Sequence, residues 1–384
     1  MLYNYFGDFM IYLDYSATTK TNDEVLDTFV KCSKEYVGNP NSLHKLGVES
    51  KKLIEVATNQ IIDLLKLESS EIIYTSGATE SNNLAILGVC NMYKTRGKHI
   101  ITTELEHSSI YGPLKQLEEL GYIIDYVKLD SNGIVDLDDL KRLITEDTIL
   151  VSICAVNSEI GLLQPINEIS EIIKKYPRCI FHVDATQAVG KIKIDLGNID
   201  LVSFTAHKFF GIKGIGVLIK KNNIELKPII SGGKSTTIYR SGTPTLPLIV
   251  SLSKALRLSL IDIDNKYNKV KELNKYLKEH LAKYDKVVIN SNDYSIPHIL
   301  NISILGVKPE TMLHALEEYD IYISTKSACS DTNSISKGVF ALTHNLDISK
   351  SSIRISISSI TTKEEIDTFL EKFDICYNKL TNLR

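Results

Sequence analysis

The chain has 384 residues, 43% of them hydrophobic and 24% charged, and a formal net charge of −3. That length suggests two domains, or one large domain with a smaller appendage. The small net charge gives no electrostatic case for direct nucleic-acid binding or an anionic membrane, and no apolar run approaches transmembrane length.

The N-terminal stretch "MLYNYFGDFMIYLDYSATT" lacks the basic region and small-residue cleavage site of a signal peptide, and Met1 and Met10 are both open as start sites. Residues 45–67, "KLGVESKKLIEVATNQIIDLLKL", place Leu46, Leu53, Ile54, Ala57, Ile61 and Leu65 near helical spacing. Short β-prone runs follow at "EIIYTSG", "KHIITTEL", "IIDYVKL", "TILVSICAV", "CIFHVDA", "LVSFTA" and "GVLI", with helical patterns between most of them. Gly97, in "KTRGKHI", reads as the residue just past a helix end. This alternation predicts an α/β domain over residues 20–255, with a mostly parallel sheet and helices on both faces. A long helical pattern, residues 246–284, leads out of it. The remainder, 256–384, reads as a smaller α+β domain whose last helix opens on a capping box, Thr362 to Glu365. Residues 1–19 are expected to pack with that smaller domain.

Six cysteines are scattered without CxxC pairing, which reads as reduced thiols and a cytoplasmic protein. Cys154 and Cys179 lie in apolar runs. Cys329 instead sits in the polar stretch "ISTKSACSDTNS", an unusual place for a residue that is commonly buried.

In such sheets ligands bind at the carboxyl ends of strands, so the polar residues there are the candidates. After "EIIYT" comes Ser76-Gly77-Ala78-Thr79, small residues at a helix start that suit either a phosphate or a plain N-cap. "CIFHVD" ends in Asp184, with Gln187 three residues on; a buried acid there must be paired, capping or functional. "LVSFT" ends in Thr205, then His207 and Lys208 between apolar neighbours. A lysine so placed is either a nucleophilic amine or a surface lysine with a packed stem. The glycines after it run G-x-x-G-x-G, not the dinucleotide order. Gly233-Lys234-Ser235 is no P-loop, because Pro228 stands where its first glycine belongs. "DSNGIVDLDDL" fails as a calcium loop: its glycine falls at the fourth position and Lys141 stands at the twelfth. No His and Cys residues are grouped at metal-ligand spacing, so no metal is expected. His107 follows another strand end, and alone is a weak signal. Together, Asp184, Lys208, His107 and the 76–79 turn are the parts needed to hold pyridoxal 5′-phosphate: a carboxylate for the ring nitrogen, an amine for the aldehyde, donors for the phosphate.

The sequence resembles the cysteine desulfurases of the NifS/IscS-like family, in the class V aminotransferase group. The resemblance runs in order through "YLDYSATT", "GNPNSLH", "SGATESNN", "EHSS", "VNSEIG", "DATQAVGK", "AHKFFGIKGIG", "RSGTP", "SAC" and "SIRIS", and "SGATESNN" is similar to the IscS-type branch. It implies fold type I of the pyridoxal-phosphate transferases, with a mostly parallel seven-stranded sheet in the large domain. It also implies that Lys208 carries the cofactor aldehyde and moves protons, Asp184 pairs the ring nitrogen, and Gln187 contacts the ring hydroxyl. His107 would stack on the ring and act as a catalytic residue in acid–base steps. Gly77, Ala78, Thr79, Thr205 and His207 would hold the phosphate, with Thr243 reaching the phosphate of a partner subunit in a homodimer. Asn157 and Arg354 would hold the carboxylate of L-cysteine, and Cys329, on a mobile loop, would take its sulfur as a persulfide.

The sulfur would pass to an acceptor protein of the scaffold or tRNA-thiolation type, with iron–sulfur assembly, tRNA thiolation and thiamine supply all open as destinations. Three positions depart from the family pattern: Lys326 replaces a glycine, the 231–243 loop lacks its acidic residue, and Ser359 replaces an arginine. The alternatives are a selenocysteine lyase or another class V pyridoxal-phosphate enzyme, and a pyridoxal-phosphate scaffold with little turnover.

Overall fold

The structure, a computed structural model, describes residues 10–325 and 335–382. Its strands are β1 (Ile11–Tyr12), β2 (Ser70–Thr75), β3 (His99–Thr102), β4 (Ile123–Tyr126), β5 (Thr148–Cys154), β6 (Ile180–Asp184), β7 (Leu201–Thr205), β8 (Gly216–Lys221), β9 (Val287–Ile289), β10 (Ile299–Ile304), β11 (Ile321–Tyr322) and β12 (Ser352–Ser356). Seven of them form one sheet in the order β2-β8-β7-β6-β5-β3-β4. Only β8 runs against the rest, pairing antiparallel with both β2 and β7. The central strands β5, β6 and β7 are buried along their whole length, as a sheet covered on both faces requires. All seven predicted runs are therefore strands of one mostly parallel sheet.

Helices cover both faces. On one side α1 (Asp23–Glu35), α2 (Lys45–Leu65) and the helix Leu246–Leu260 join a core that includes Ile54, Ile61, Phe181, Phe204 and Leu252. On the other, α3 (Ala78–Tyr93) and α4 (Ser108–Glu119) bury Leu84, Ile86, Val89, Ile110 and Leu114. Burying each such aliphatic side chain contributes roughly 1.5–3 kcal/mol. A third core surrounds the antiparallel sheet β12-β10-β9 and contains Val270, Leu277, Ile302, Ile353, Phe369 and Phe373. Ile11 and Leu13 belong to this core, and β1 pairs parallel with β11.

Three local features test the sequence expectations. Thr362 and Glu365 form both bonds of the capping box: Thr362 N–H donates to Glu365 Oε2 at 2.7 Å, and Glu365 N–H to Thr362 Oγ1 at 3.2 Å. The helical pattern at 246–284 is not one helix. It breaks between Leu260 and Ile263, where Ile261 is extended and Asp262 adopts φ 55; aspartate tolerates the left-handed region better than most residues. Gly97 is not the cap of α3, which ends at Tyr93 with Lys94 as its cap. Glycine is needed there because a Cβ would lie 2.1 Å from Asp147 O.

Candidate active site

The carboxyl ends of β2, β3, β5, β6 and β7 open on one side of the sheet, and a cavity of about 480 Å³ lies over them. β5 ends in Cys154, which lines the cavity, and each of the other four strands hands over one wall. β2 runs into Ser76–Thr79, β3 into the turn bearing His107, β6 into Asp184, and β7 into Thr205, His207 and Lys208; all of these line the cavity. Ser16, Ala17 and Thr18 close it from the N-terminal segment, and Arg354 enters from β12.

Asp184 is buried and held from two sides. Its Oδ1 accepts from Thr186 N–H at 3.0 Å, which caps the turn, and its Oδ2 accepts from Asn82 Nδ2 at 2.8 Å. The same Asn82 nitrogen donates to Ser109 Oγ at 2.9 Å, and Ser109 Oγ lies 2.9 Å from His107 Nδ1. One buried amide on α3 thus fixes both the carboxylate and the histidine. His107 is the N-cap of α4: its Nδ1 also accepts from Ser109 N–H at 3.1 Å. The proton of its neutral ring is therefore on Nε2. Burial holds this imidazole below its ordinary pKa, so it is neutral at pH 7. The preceding residue, Glu106, is buried; its Oε1 accepts from Thr103 Oγ1 at 2.7 Å and from Cys154 N–H at 2.9 Å, while Oε2 has no partner. Burial pushes its carboxyl up to about 8.

Lys208 Nζ donates to the carbonyls of Ser16 at 2.6 Å and Ala17 at 2.8 Å. Gln187 Nε2 donates to the same Ser16 carbonyl at 2.9 Å, and Gln187 Oε1 accepts from the buried Lys191. His207 Nδ1 lies 3.1 Å from Thr18 Oγ1, and burial with Lys208 and Lys213 nearby pushes its pKa down to about 4.

The start of α3 makes the anion cradle. Ala78 and Thr79 stand in its first turn, where backbone N–H groups have no intrahelical acceptor. Glu80 ties this turn to the 231–243 loop: its Oε2 accepts from Ser76 N–H at 2.8 Å and its Oε1 from Arg240 Nε at 2.9 Å. Burial opposes its charge, but Arg240 and Ser76 keep its pKa below the ordinary value. Close approach is secured by Gly216, where a Cβ would lie 2.5 Å from the carbonyl carbon of Gly77. Thr205 Oγ1 donates to Ile215 O at 2.8 Å.

A family model described as aminotransferase class-V matches residues 11–369. A "NifS/IcsS protein homolog" of Lactobacillus delbrueckii subsp. bulgaricus is 40% identical over 381 residues, 97% of this chain and 99% of that protein. The "Cysteine desulfurase IscS" of Glaesserella parasuis serovar 5 is 41% identical over 384 residues, covering 97% and 94%. A solved structure described as a NifS-like protein superposes with a TM-score of 0.91 at 34% identity, over 98% of this chain and 100% of that one. The chain belongs to the class V aminotransferase family, in its NifS/IscS-like branch.

Pyridoxal 5′-phosphate is the cofactor of this branch, and the residues present fit it. The cavity holds an amine at Lys208, a buried carboxylate at Asp184, and a helix-start cradle. A Cβ on Gly77 would find nothing nearer than Thr205 Oγ1 at 4.0 Å, so a side chain there would fill the cradle. The buried Oγ of Ser16, a residue of the cavity wall, has no partner among the described residues.

Of the residues predicted for the site, Gly77, Ala78, Thr79, His107, Asp184, Gln187, Thr205, His207, Lys208 and Arg354 meet in this cavity. Two others do not line it. Asn157 lies behind the wall, its Nδ2 donating to Leu105 O at 2.8 Å and its Oδ1 accepting from the N–H groups of Glu159 and Ile160. Thr243 is exposed on the 231–245 loop. Cys329 and Lys326 lie outside the described residues. Arg354 is buried; its guanidinium already binds Asp14 Oδ1 at 2.8 Å and Ser158 O at 2.9 Å, and its buried Nε has no partner among the described residues. Asn82, Asp14 and Glu106 are site residues that the strand-end search missed. Asn82 was open to a search for buried polar residues on helix faces, since it lies within "SGATESNN" on the first turns of α3.

Proposed function

We propose that the protein is a cysteine desulfurase that converts L-cysteine to L-alanine and leaves a persulfide on Cys329. The observation that carries this reading is the meeting, in one cavity, of the Lys208 amine, the Asp184 carboxylate and the Arg354 guanidinium. When bound, pyridoxal phosphate supplies an electron-accepting ring beside the substrate's α-carbon. Asp184, braced by Asn82, holds negative charge for the ring nitrogen. Arg354, at the cavity wall, supplies the cation for the substrate carboxylate. His107 keeps a proton on Nε2, and Lys208 takes and returns protons from its place between the substrate and the Ser16 and Ala17 carbonyls. The Cys329 thiolate attacks the substrate sulfur: an S–S bond forms, the carbon–sulfur bond breaks, and the carbon keeps the electron pair and takes a proton. One thiol and one L-cysteine thereby become one persulfide and one L-alanine.

We further infer that the chain works as a homodimer and passes the sulfur to an acceptor protein in the cytoplasm. Support for the dimer comes from the segment between α1 and α2, where Val37 is 82% exposed and Leu43 96%. Asn41 in that segment bonds Ser235, on the loop that bears Thr243. An apolar surface of that kind is commonly covered by a partner.

The test is alanine release from L-cysteine by the cofactor-loaded protein under reductant. Wild type releases alanine, and Cys329→Ala does not. Undiminished release from cysteine in Cys329→Ala would sink the persulfide mechanism, and a parallel assay on selenocysteine distinguishes a lyase.

A further inference from the structure

A second cavity, about 170 Å³, adjoins the first. Lys208 lines both. Apolar groups, among them Phe209 and Ile357, make most of its wall, yet three lysines also line it: Lys191, Lys208 and Lys266. Among the described residues that line it, none is acidic.

Lys191 is the anomaly. It is 9% exposed, and it donates a hydrogen bond to the amide oxygen of Gln187, a neutral acceptor. Burial, with the charges of Lys208 and Arg354 nearby, pushes its pKa well below the ordinary lysine value, and no carboxylate offsets this. Such a place favours the neutral amine, and a counter-charge bound beside it would restore the ammonium. His298 adds a second unsatisfied group: it is 6% exposed, lines the same cavity, and its buried Nδ1 has no partner among the described residues. Lys266 is anchored by the carbonyl of Leu258 at 2.7 Å and contributes positive potential. Ser359, together with Thr19, Asn22, Ser259 and Ser358, adds polar groups to the wall.

We propose that this cavity is a binding site for a small oxyanion, held by the Lys191 ammonium and by hydrogen bonds from His298 Nδ1–H and the Ser359 hydroxyl. Sulfate, phosphate or a short carboxylate fits the volume and the donors; a nucleotide is too large. The site is separate from the cofactor's phosphate cradle and from Arg354, which line the first cavity. Because Lys208 forms the shared wall, occupancy on one side is felt by an amine that works on the other.

The experiment uses the cofactor-loaded protein, so that the phosphate cradle is filled. Thermal unfolding is followed against sodium sulfate, and separately sodium acetate, at constant ionic strength held with sodium gluconate, whose anion is too bulky for the cavity. Wild type is expected to show a saturable rise in Tm with at least one of the two probes. Lys191→Met weakens the apparent affinity by about tenfold, the worth of one charge-assisted hydrogen bond. Ser359→Phe, which fills the cavity and spares the amines, abolishes the saturable part, and Arg354→Gln retains it. No saturable response to either probe in wild type overturns the proposal. So does an equal response in wild type, Lys191→Met and Ser359→Phe. A response lost in Arg354→Gln but kept in Lys191→Met would place the ion in the first cavity and overturn it too.

Discussion

Replacing Asp14 by asparagine removes the only carboxylate within ion-pair distance of Arg354 among the described residues. Arg354 is 2% exposed and Asp14 Oδ1 lies 2.8 Å from its guanidinium. Stripping one partner from a buried pair costs about 3–5 kcal/mol, because the other charge is left desolvated and uncompensated. Two features reduce that figure. Asparagine keeps an acceptor oxygen at the same place, and the Asp14 side chain is 18% exposed. A cost of about 2–3 kcal/mol follows. A chain of 384 residues carries an unfolding entropy near 0.8 kcal/mol/K at about 2.1 cal/mol/K per residue, so the expected drop in Tm is about 3–4 °C. The uncompensated guanidinium should then bind a carboxylate ligand more avidly. Saturating L-alanine should raise the Tm of Asp14→Asn more than that of wild type. Thermal unfolding by circular dichroism, with and without L-alanine, reads both effects. A Tm within 1 °C of wild type, or an equal response to L-alanine, would refute the reasoning.

Three further outcomes are expected. His298 is held neutral by burial, its pKa lowered from 6.5 to about 3; full stability therefore holds above about 6.5 and is lost as pH falls toward the folded value. Between pH 7 and 5, His298→Gln should lose about 2 kcal/mol less stability than wild type, measured by chemical unfolding at each pH. Glu106 is the opposite case, an acid raised from 4.5 to about 8, so its fold penalty grows as pH rises through that window. Glu106→Gln keeps the acceptor for Cys154 and Thr103 and should be the more stable protein at pH 8, by about 1 kcal/mol or more, with no such advantage at pH 4; equal stability at pH 8 contradicts this. Gly216→Ala should weaken pyridoxal phosphate binding at least about tenfold in an absorbance titration, since its Cβ displaces Gly77. Gly112→Ala, a helix position with nothing within 4 Å, is the control and should bind normally.

The sheet was legible because its strands are short apolar runs bounded by polar turns, and the strand-end rule then led to Lys208, Asp184 and His107. What stayed hidden depends on contacts between distant segments. Asn82 reads as one more polar residue of a helix until the fold sets it 2.8 Å from Asp184, 102 positions away. Asp14 meets Arg354 across 340 positions, through an N-terminal segment whose spacing carries no trace of the pairing. Glycine chemistry misled at Gly97, where the constraint is Asp147, on the loop that leads into the neighbouring strand β5, rather than the backbone angle of a helix cap. The break at Ile261-Asp262 was invisible to periodicity, because apolar residues continue on both sides of it. The assignment of Arg354 and Asn157 to the substrate came from family resemblance, not from pattern.

The central claim is that sulfur leaves L-cysteine onto Cys329 in step with alanine formation. A single-turnover reaction of the cofactor-loaded protein with L-cysteine, lacking reductant and acceptor, followed by mass spectrometry of the peptide that contains Cys329, tests it directly. The account predicts one sulfur atom added to that peptide for each alanine released. Alanine released with Cys329 unmodified, and the added sulfur found elsewhere or as free sulfide, would contradict it.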